Sequence, residues 1–103
     1  MENFQTACAV ADIAPNKSVA VTLGRQNILI CMSNNEYFAV ENQCTHQAAE
    51  LDGGRIRNCF ISCPLHGVRF NLKTGEPTGT LTRIALKTFP VRVVGDAIEV
   101  AID

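Results

Sequence analysis

The chain contains only two histidines, and each lies beside a cysteine in the sequence. Cys44 and His46 form a C-x-H motif, Cys63 and His66 form a C-x-x-H motif, and sixteen residues separate the two motifs. Thiolate and imidazole groups both bind transition metals, so the two short segments supply a set of four ligands. One sulfur and one nitrogen from each segment suit a two-iron cluster, in which one iron takes both sulfurs and the other takes both nitrogens.

The same Cys and His residues are also compatible with a zinc site or with a nucleophilic enzyme. Zinc accepts two Cys and two His, which would make the chain a structural zinc module acting in protein interaction, although zinc sites more often pair Cys with Cys and His with His. A Cys–His nucleophile would use one pair and leave the other unexplained. Three further cysteines, Cys8, Cys31 and Cys59, have no histidine at ligand spacing. Because their surroundings are apolar, we interpret them as small buried side chains.

The elements that position these pairs are short strands. Runs rich in β-branched residues are separated by turn residues, with little helical periodicity. Asn34-Asn35 and Gly95-Asp96 are typical two-residue hairpin turns. The predicted strands are Ser18–Leu23, Asn27–Met32, Glu36–Glu41, Phe89–Val94 and Ala97–Ile102. The pattern predicts an all-β fold, an antiparallel sandwich or barrel, with a weakly indicated helical turn at 47–51.

Composition limits the class of protein. A chain of 103 residues suits one domain, residues 1–103. The net charge of −1 and the absence of basic runs argue against a nucleic-acid partner. The N-terminus lacks the features of a secretory signal, and no apolar run is long enough to span a membrane. We therefore expect a cytoplasmic monomer whose near-zero charge makes association only mildly dependent on salt.

The segments around the two motifs resemble a known family. The C-x-H motif and the later Cys-Pro-Leu-His-Gly segment are similar to the Rieske signature, and flanking segments agree with it. These segments are Glu36–Gln43, Gly67–Gly75 and Phe89–Val93. The chain most resembles the stand-alone Rieske ferredoxins of bacterial aromatic-ring dioxygenases. The resemblance implies the Rieske fold, with antiparallel β-sheets and a small cluster-binding subdomain whose loops span about residues 43–70.

The resemblance also implies a site. One 2Fe–2S cluster per chain would be held by Cys44 and Cys63 on the buried iron and by His46 and His66 on the outer iron. The residues expected to hydrogen-bond the cluster sulfurs through backbone N–H groups are Gln47, Ala48, Leu65 and Gly67. The residues expected to contact partners are His46, His66, Gln47, Glu50, Leu65 and Val68.

The implied function is electron transfer rather than catalysis. The chain would carry single electrons from a flavin-dependent NAD(P)H reductase to a terminal Rieske oxygenase. Respiratory Rieske proteins have a disulfide, a Ser and a Tyr near the cluster, and this chain has Ala49, Leu65, Val68 and Phe70 at those positions. Fewer hydrogen bonds to sulfur disfavour the reduced state, which predicts a reduction potential of about −150 mV.

Two family members with other functions are alternatives. An assimilatory nitrite reductase uses a small Rieske-like subunit that also carries electrons, and the sequence separates this function poorly from the first. A Rieske domain of an oxygenase needs further histidines for its catalytic iron, and both histidines of this chain are already assigned. The third loop, residues 77–85, has one proline where relatives have several, so we expect it to be more mobile or differently shaped.

Overall fold

Strands dominate the computed structural model, which describes residues 3–46, 49–65 and 67–102. The strands of these residues are β1 (Phe4–Ala9), β2 (Ser18–Leu23), β3 (Gln26–Ser33), β4 (Glu36–Glu41), β5 (Ile56–Arg57), β6 (Phe60–Ser62), β7 (Arg69–Asn71), β8 (Thr88–Phe89), β9 (Val91–Val94) and β10 (Ala97–Ala101). They form three antiparallel sheets with the orders β1-β10-β9, β2-β3-β4-β8 and β5-β6-β7. The only helix in the described residues is one 3₁₀ turn, Val10–Asp12. The predicted all-β antiparallel class is confirmed.

The central hairpin forms where the sequence predicts it. Strands β3 and β4 pair from Ile28–Glu41 to Ser33–Glu36, which leaves a two-residue turn. Asn34 and Asn35 in that turn have positive φ angles of 52° and 61°. Asparagine tolerates this left-handed conformation better than most residues, and it matches the twist of the flanking strands.

Strand β3 separates two apolar cores. Side chains of a strand alternate between its faces, and both faces of β3 are buried. Leu29 and Cys31 belong to one apolar cluster, whereas Ile28 and Ile30 belong to the other. The first cluster, called the site core below, also contains both predicted cysteine ligands.

The C-terminal strands differ from the prediction at Pro90. The predicted strand Phe89–Val94 is two strands, because β8 pairs with β4 whereas β9 pairs with β10 in another sheet. Proline has no N–H group to donate to a sheet, so Pro90 is a natural point for the chain to change sheets. Strand β1 was not predicted, and its pairing with β10 is irregular between Thr6 and Cys8.

In the sequence, β5 and β6 lie between the two predicted ligand segments, and β7 lies between the second segment and the third loop. Residues 49–51 are not helical, and Gln47 and Ala48 of the predicted helical turn lie outside the described residues. The part of the chain that the structure describes contains no helix that is long and apolar enough to span a membrane.

Candidate metal centre

The two loops that carry the predicted ligands are closed by equivalent hydrogen bonds. The Cys44 N–H donates to the Ala49 carbonyl at 2.7 Å, and the Cys63 N–H donates to the Val68 carbonyl at 2.8 Å. Each loop therefore begins at a cysteine and returns to it five residues later. His66, the fourth predicted ligand, lies outside the described residues, as do Gln47 and Ala48.

The predicted cysteine ligands are more deeply buried than the side chain of His46. Cys44 and Cys63 are 1% and 2% exposed and lie in the same site core. His46 is half-buried, and its Nδ1 atom is fully buried. In the described residues, no three Cys, His, Asp or Glu side chains gather as a site for a single metal ion.

This donor set fits a two-iron cluster. A thiolate in an apolar interior is unfavourable unless a cation compensates its charge. Two ferric ions, two sulfides and two thiolates sum to about zero charge, so a neutral cluster suits this apolar environment. The division of the ligands between a buried iron and an outer iron stays a prediction, and the buried sulfurs and half-buried imidazole are compatible with it.

A buried amide holds the first loop. Asn42 is 3% exposed, and its Oδ1 accepts the N–H groups of Leu51 and Asp52, both at 2.9 Å. Its Nδ2 donates to Asn27 Oδ1 at 3.2 Å and to Glu50 Oε2 at 3.4 Å. One side chain thus joins both ends of the segment that contains Cys44 and His46. Sequence reasoning missed Asn42, because polar residues at strand ends are common and its partners are known only from the fold.

Replacing Asn42 with Ala is expected to destabilise the protein by about 2–4 kcal/mol, because the buried N–H group of Leu51 and the partly buried N–H group of Asp52 lose their acceptor. Urea unfolding of the holoprotein measures this difference. Asn27→Ala is the control, because Asn27 is exposed and its side chain bonds the side chains of Asn42 and Glu50, whereas its carbonyl keeps the bond from the Asn42 N–H in the variant. We expect this control to lose about 1 kcal/mol or less. Equal losses in the two variants would contradict the role assigned to Asn42.

The third loop is tied to the first. The Thr45 hydroxyl donates to the Ile84 carbonyl at 2.6 Å and lies 3.1 Å from the Thr82 hydroxyl. Thr45 has one hydroxyl proton, so Thr82 donates to Thr45 and in turn accepts the Ile84 N–H at 3.2 Å. Thr82 is 9% exposed. These bonds anchor the loop where the sequence has few prolines.

The second loop corrects two sequence interpretations. Val68 is 3% exposed and packs in the site core, so the prediction that it contacts partners is wrong. Gly67 was expected to bring its N–H close to a cluster sulfur, but this N–H donates to the Cys63 carbonyl at 3.0 Å. Its φ of +72° explains the glycine.

The other expected contact residues vary in exposure. Leu65 is 72% exposed and Glu50 is exposed, although Glu50 accepts hydrogen bonds from Asn27 and Asn42. The structure adds Leu81 and Ile84 of the third loop, which are 54% and 65% exposed. Sequence reasoning missed these two because apolar side chains in a loop carry no signal of where the loop packs.

The remaining cysteines are mostly buried, as predicted. Cys31 and Cys59 are 0% and 7% exposed, whereas Cys8 is only partly buried. Burial, with a smaller contribution from the Asp52 carboxylate, raises the pKa of Cys31 to about 12. The Cys31 thiol is therefore neutral at ordinary pH and acts as a small apolar side chain.

Comparisons with known proteins agree on one family. The model of the Rieske [2Fe-2S] domain matches residues 3–90. The ferredoxin component of naphthalene 1,2-dioxygenase/salicylate 5-hydroxylase systems from Ralstonia sp. is 33% identical over 92 residues, 89% of this chain and 88% of that protein. The match to a relative therefore extends over most of both chains.

Solved structures show the same fold. The ferredoxin of carbazole 1,9a-dioxygenase from Nocardioides aromaticivorans IC177 has a TM-score of 0.91 at 26% identity, covering 98% of this chain and 99% of that one. A chain in the complex of reduced oxygenase and oxidised ferredoxin of carbazole 1,9a-dioxygenase has a TM-score of 0.88 at 29% identity, covering 98% and 94%. A nitrite reductase small subunit from Mycobacterium tuberculosis, with a TM-score of 0.90, 22% identity and coverage of 100% and 97%, shares the fold alone.

Proposed function

Because the chain belongs to the Rieske [2Fe-2S] domain family, we propose that it is the ferredoxin component of an aromatic-ring dioxygenase system. Family membership confirms the predicted Rieske fold and 2Fe–2S cofactor. The relatives are named as ferredoxin components of oxygenase systems, so the chain is an electron carrier and not itself the enzyme.

The proposed ligands are Cys44 and Cys63 for one iron and His46 and His66 for the other. When bound, the cluster accepts and releases one electron. The chain contributes two buried thiol groups in an apolar core and a half-buried imidazole nearer the surface. The observation that carries the proposal is the matched closure of the two loops, each starting at one of these cysteines.

The two ligand loops and the third loop, which is bonded to the first, are together called the tip below, and they expose apolar side chains. Leu65 lies in the second loop, and Leu81 and Ile84 lie in the third loop, which Thr45 joins to the first. Exposed apolar residues near a site are typical of a surface that docks a protein. A complex between a ferredoxin and an oxygenase of the carbazole system supports the proposal that this tip meets a terminal Rieske oxygenase.

The second proposed partner is a flavin-dependent NAD(P)H reductase, which would supply the electrons. We expect the carrier to act in the cytoplasm as a monomer, and the extent of its single domain, residues 1–103, stays a prediction. Glu50, Leu65, His46 and His66 remain the proposed partner contacts, together with Gln47. Leu81 and Ile84 join them, and Val68 does not.

Reconstitution tests the function and the tip together. The holoprotein is mixed with NADH, a flavoprotein ferredoxin reductase and a terminal oxygenase from a naphthalene or carbazole dioxygenase system. We expect substrate oxidation that requires this chain. Leu65→Glu should slow electron transfer to the oxygenase by about tenfold, because it places a charge in an apolar contact. Val94→Glu is the matched control, since Val94 is 51% exposed on β9, outside the tip loops.

Two outcomes would contradict the proposed function, and a third would contradict the docking surface alone. Purification of a colourless chain with one zinc ion would favour the interaction module. Electron transfer to a nitrite reductase and to no dioxygenase would favour the alternative electron-transfer role. Equal slowing by Leu65→Glu and Val94→Glu would remove the tip from the docking surface while leaving the electron-carrier function intact.

The midpoint potential is expected at the low end of the Rieske range, at about −150 mV. Val68 and Phe70 are 3% and 0% exposed in the site core, and neither side chain can donate a hydrogen bond. Without such donors the reduced, more negative state gains less stabilisation. Potentiometric titration followed by visible absorbance measures the midpoint, and a value above zero would exclude this expectation.

A further inference from the structure

The outward face of the small sheet β5–β7 is rich in arginine. Side chains alternate between the two faces of a strand, and Ile56, Ile61 and Phe70 of these strands are buried on the inward face. The intervening residues point outward around an open cleft of about 380 Å³. The lining residues are Arg55, Arg57, Asn58, Phe60, Ser62 and Arg69.

This arginine cleft concentrates positive charge. Three of the nine Lys and Arg residues of the chain line it, and none of the lining residues is acidic. The ion pairs found over residues 3–46, 49–65 and 67–102 join Lys73 to Glu36 and Arg92 to Glu99. The three cleft guanidinium groups therefore have no carboxylate within 4.0 Å among those residues, although the whole chain has a net charge of −1.

One wall of the cleft is ordered by an aromatic ring. The guanidinium carbon of Arg69 lies 4.7 Å from the centroid of the Phe60 ring. Stacking of this kind restricts the guanidinium and leaves its N–H groups available. A planar guanidinium binds a carboxylate through two parallel hydrogen bonds, so carboxylate groups suit this surface.

The cleft adjoins the second ligand loop. Ser62 lines the cleft and directly precedes Cys63. Arg69 follows Val68, whose carbonyl accepts the Cys63 N–H. The strands β6 and β7 that carry Ser62 and Arg69 pair with each other at these two residues. A protein bound on the cleft would therefore lie beside the loop that holds a proposed iron ligand.

We propose that the arginine cleft binds a carboxylate-rich surface segment of a protein that exchanges electrons with this chain. The inference rests on the proposed electron-carrier function. An acidic protein surface fits better than a small anion, because all three arginines are exposed and the cleft has no buried charged group to enclose an ion. Docking there would be strongly salt-dependent, contrary to the mild dependence expected from the net charge.

A synthetic oligoglutamate peptide with a fluorescent label is a direct probe of the cleft. Its binding to the holoprotein is measured by anisotropy at ionic strengths of about 0.01 M and about 0.1 M. The test variant carries Arg55→Gln, Arg57→Gln and Arg69→Gln. The control variant, with the same change in charge, carries Arg25→Gln, Lys73→Gln and Lys87→Gln, all exposed and outside the cleft.

We expect the test variant to bind the peptide about tenfold more weakly than the wild type at the lower ionic strength. The control variant should lose about twofold or less, and the higher salt should remove most of the difference. Equal losses in both variants would overturn the proposal, because binding would then depend on net charge alone. Saturable binding of inorganic phosphate that displaces the peptide would also overturn it in favour of a small-anion site.

Electron-transfer rates with the reductase and the oxygenase give the second readout. Visible absorbance and the midpoint potential first establish that both variants hold the cluster as the wild type does. We expect the test variant, and not the control, to react about tenfold more slowly with at least one partner at low salt. Wild-type rates in both variants with both partners would overturn the cleft proposal alone. Failure of the wild type with every reductase and oxygenase would instead remove the proposed function.

Discussion

Serine in place of Cys63 is expected to lower the iron and sulfide content of the purified protein by at least about tenfold. Cys63 is 2% exposed at the start of the second loop, and its thiol lies in the same apolar core as Cys44. A serine hydroxyl is a poor ligand for iron at neutral pH, because it does not readily lose its proton. Iron and sulfide analysis, with the paramagnetic resonance spectrum of the reduced protein, measures the loss.

Cys59→Ser is the matched control for this experiment. Cys59 is also buried, at 7% exposure, but its Sγ accepts a hydrogen bond from Asn34 Nδ2 at 3.5 Å. A serine oxygen can accept the same bond, and Cys59 belongs to neither ligand loop. The control should keep the cluster and its spectrum. A Cys63→Ser protein with full iron and an unchanged spectrum would overturn the ligand assignment.

Loss of the cluster should also lower the thermal stability of Cys63→Ser. A cofactor that binds only the folded chain stabilises the folded state by mass action. A domain of about 100 residues has a small free energy of unfolding, so loss of this contribution should be measurable. The control variant should unfold close to the wild-type temperature. Calorimetry of both proteins, with their iron contents measured in parallel, separates this effect from damage to the core.

The local patterns in the sequence predict much of the fold. Strand β2 has the predicted bounds, and the Asn34-Asn35 turn was predicted from the tolerance of asparagine for positive φ. The continuous apolar run of β3 predicts a strand buried on both faces, as the structure shows. These features depend on neighbouring residues alone, which is why one sequence suffices to predict them.

Features that depend on distant contacts could not be predicted in this way. Asn42 matters because Leu51 and Asp52 return to its side chain, and Thr45 matters because the third loop comes to lie on it. Val68 follows the second ligand motif and is expected from the sequence to contact partners, but its side chain is buried. A residue's place in a motif does not determine the direction of its side chain when the loop is irregular.

The distribution of charge over the surface also depends on distant contacts. The net charge of −1 describes the sum and predicts weak steering, but the alternation of β5–β7 brings Arg55, Arg57 and Arg69 to one face. The spacing of Arg55 and Arg57 alone would place them together on a strand. Arg69 joins them on this face because of the register in which β6 and β7 pair, and the sequence alone does not predict that register.

Alanine at Gly54 is expected to destabilise the holoprotein by about 3 kcal/mol or more. A Cβ atom there would lie 2.2 Å from the Ser62 carbonyl oxygen and 2.8 Å from the Leu51 carbonyl oxygen. Both neighbours are backbone atoms, so the clash cannot be relieved by rotating a side chain. The exit of the first loop would be forced away from β6, the strand that leads into Cys63. Urea unfolding and the iron content per chain measure the two consequences.

Gly53→Ala is the control that distinguishes the effect of the Gly54 steric clash from the effect of backbone strain. Gly53 has a φ of +87°, but a Cβ atom there would meet no described atom within 4 Å. Its replacement should cost about 1–2 kcal/mol through the left-handed conformation alone and should leave the iron content unchanged. If Gly54→Ala were no worse than Gly53→Ala, or if it kept its full cluster, then the two loops would not depend on this close approach. A larger loss of stability and iron confined to Gly54→Ala would show that the fold and the cluster depend on the close approach of Gly54 to β6.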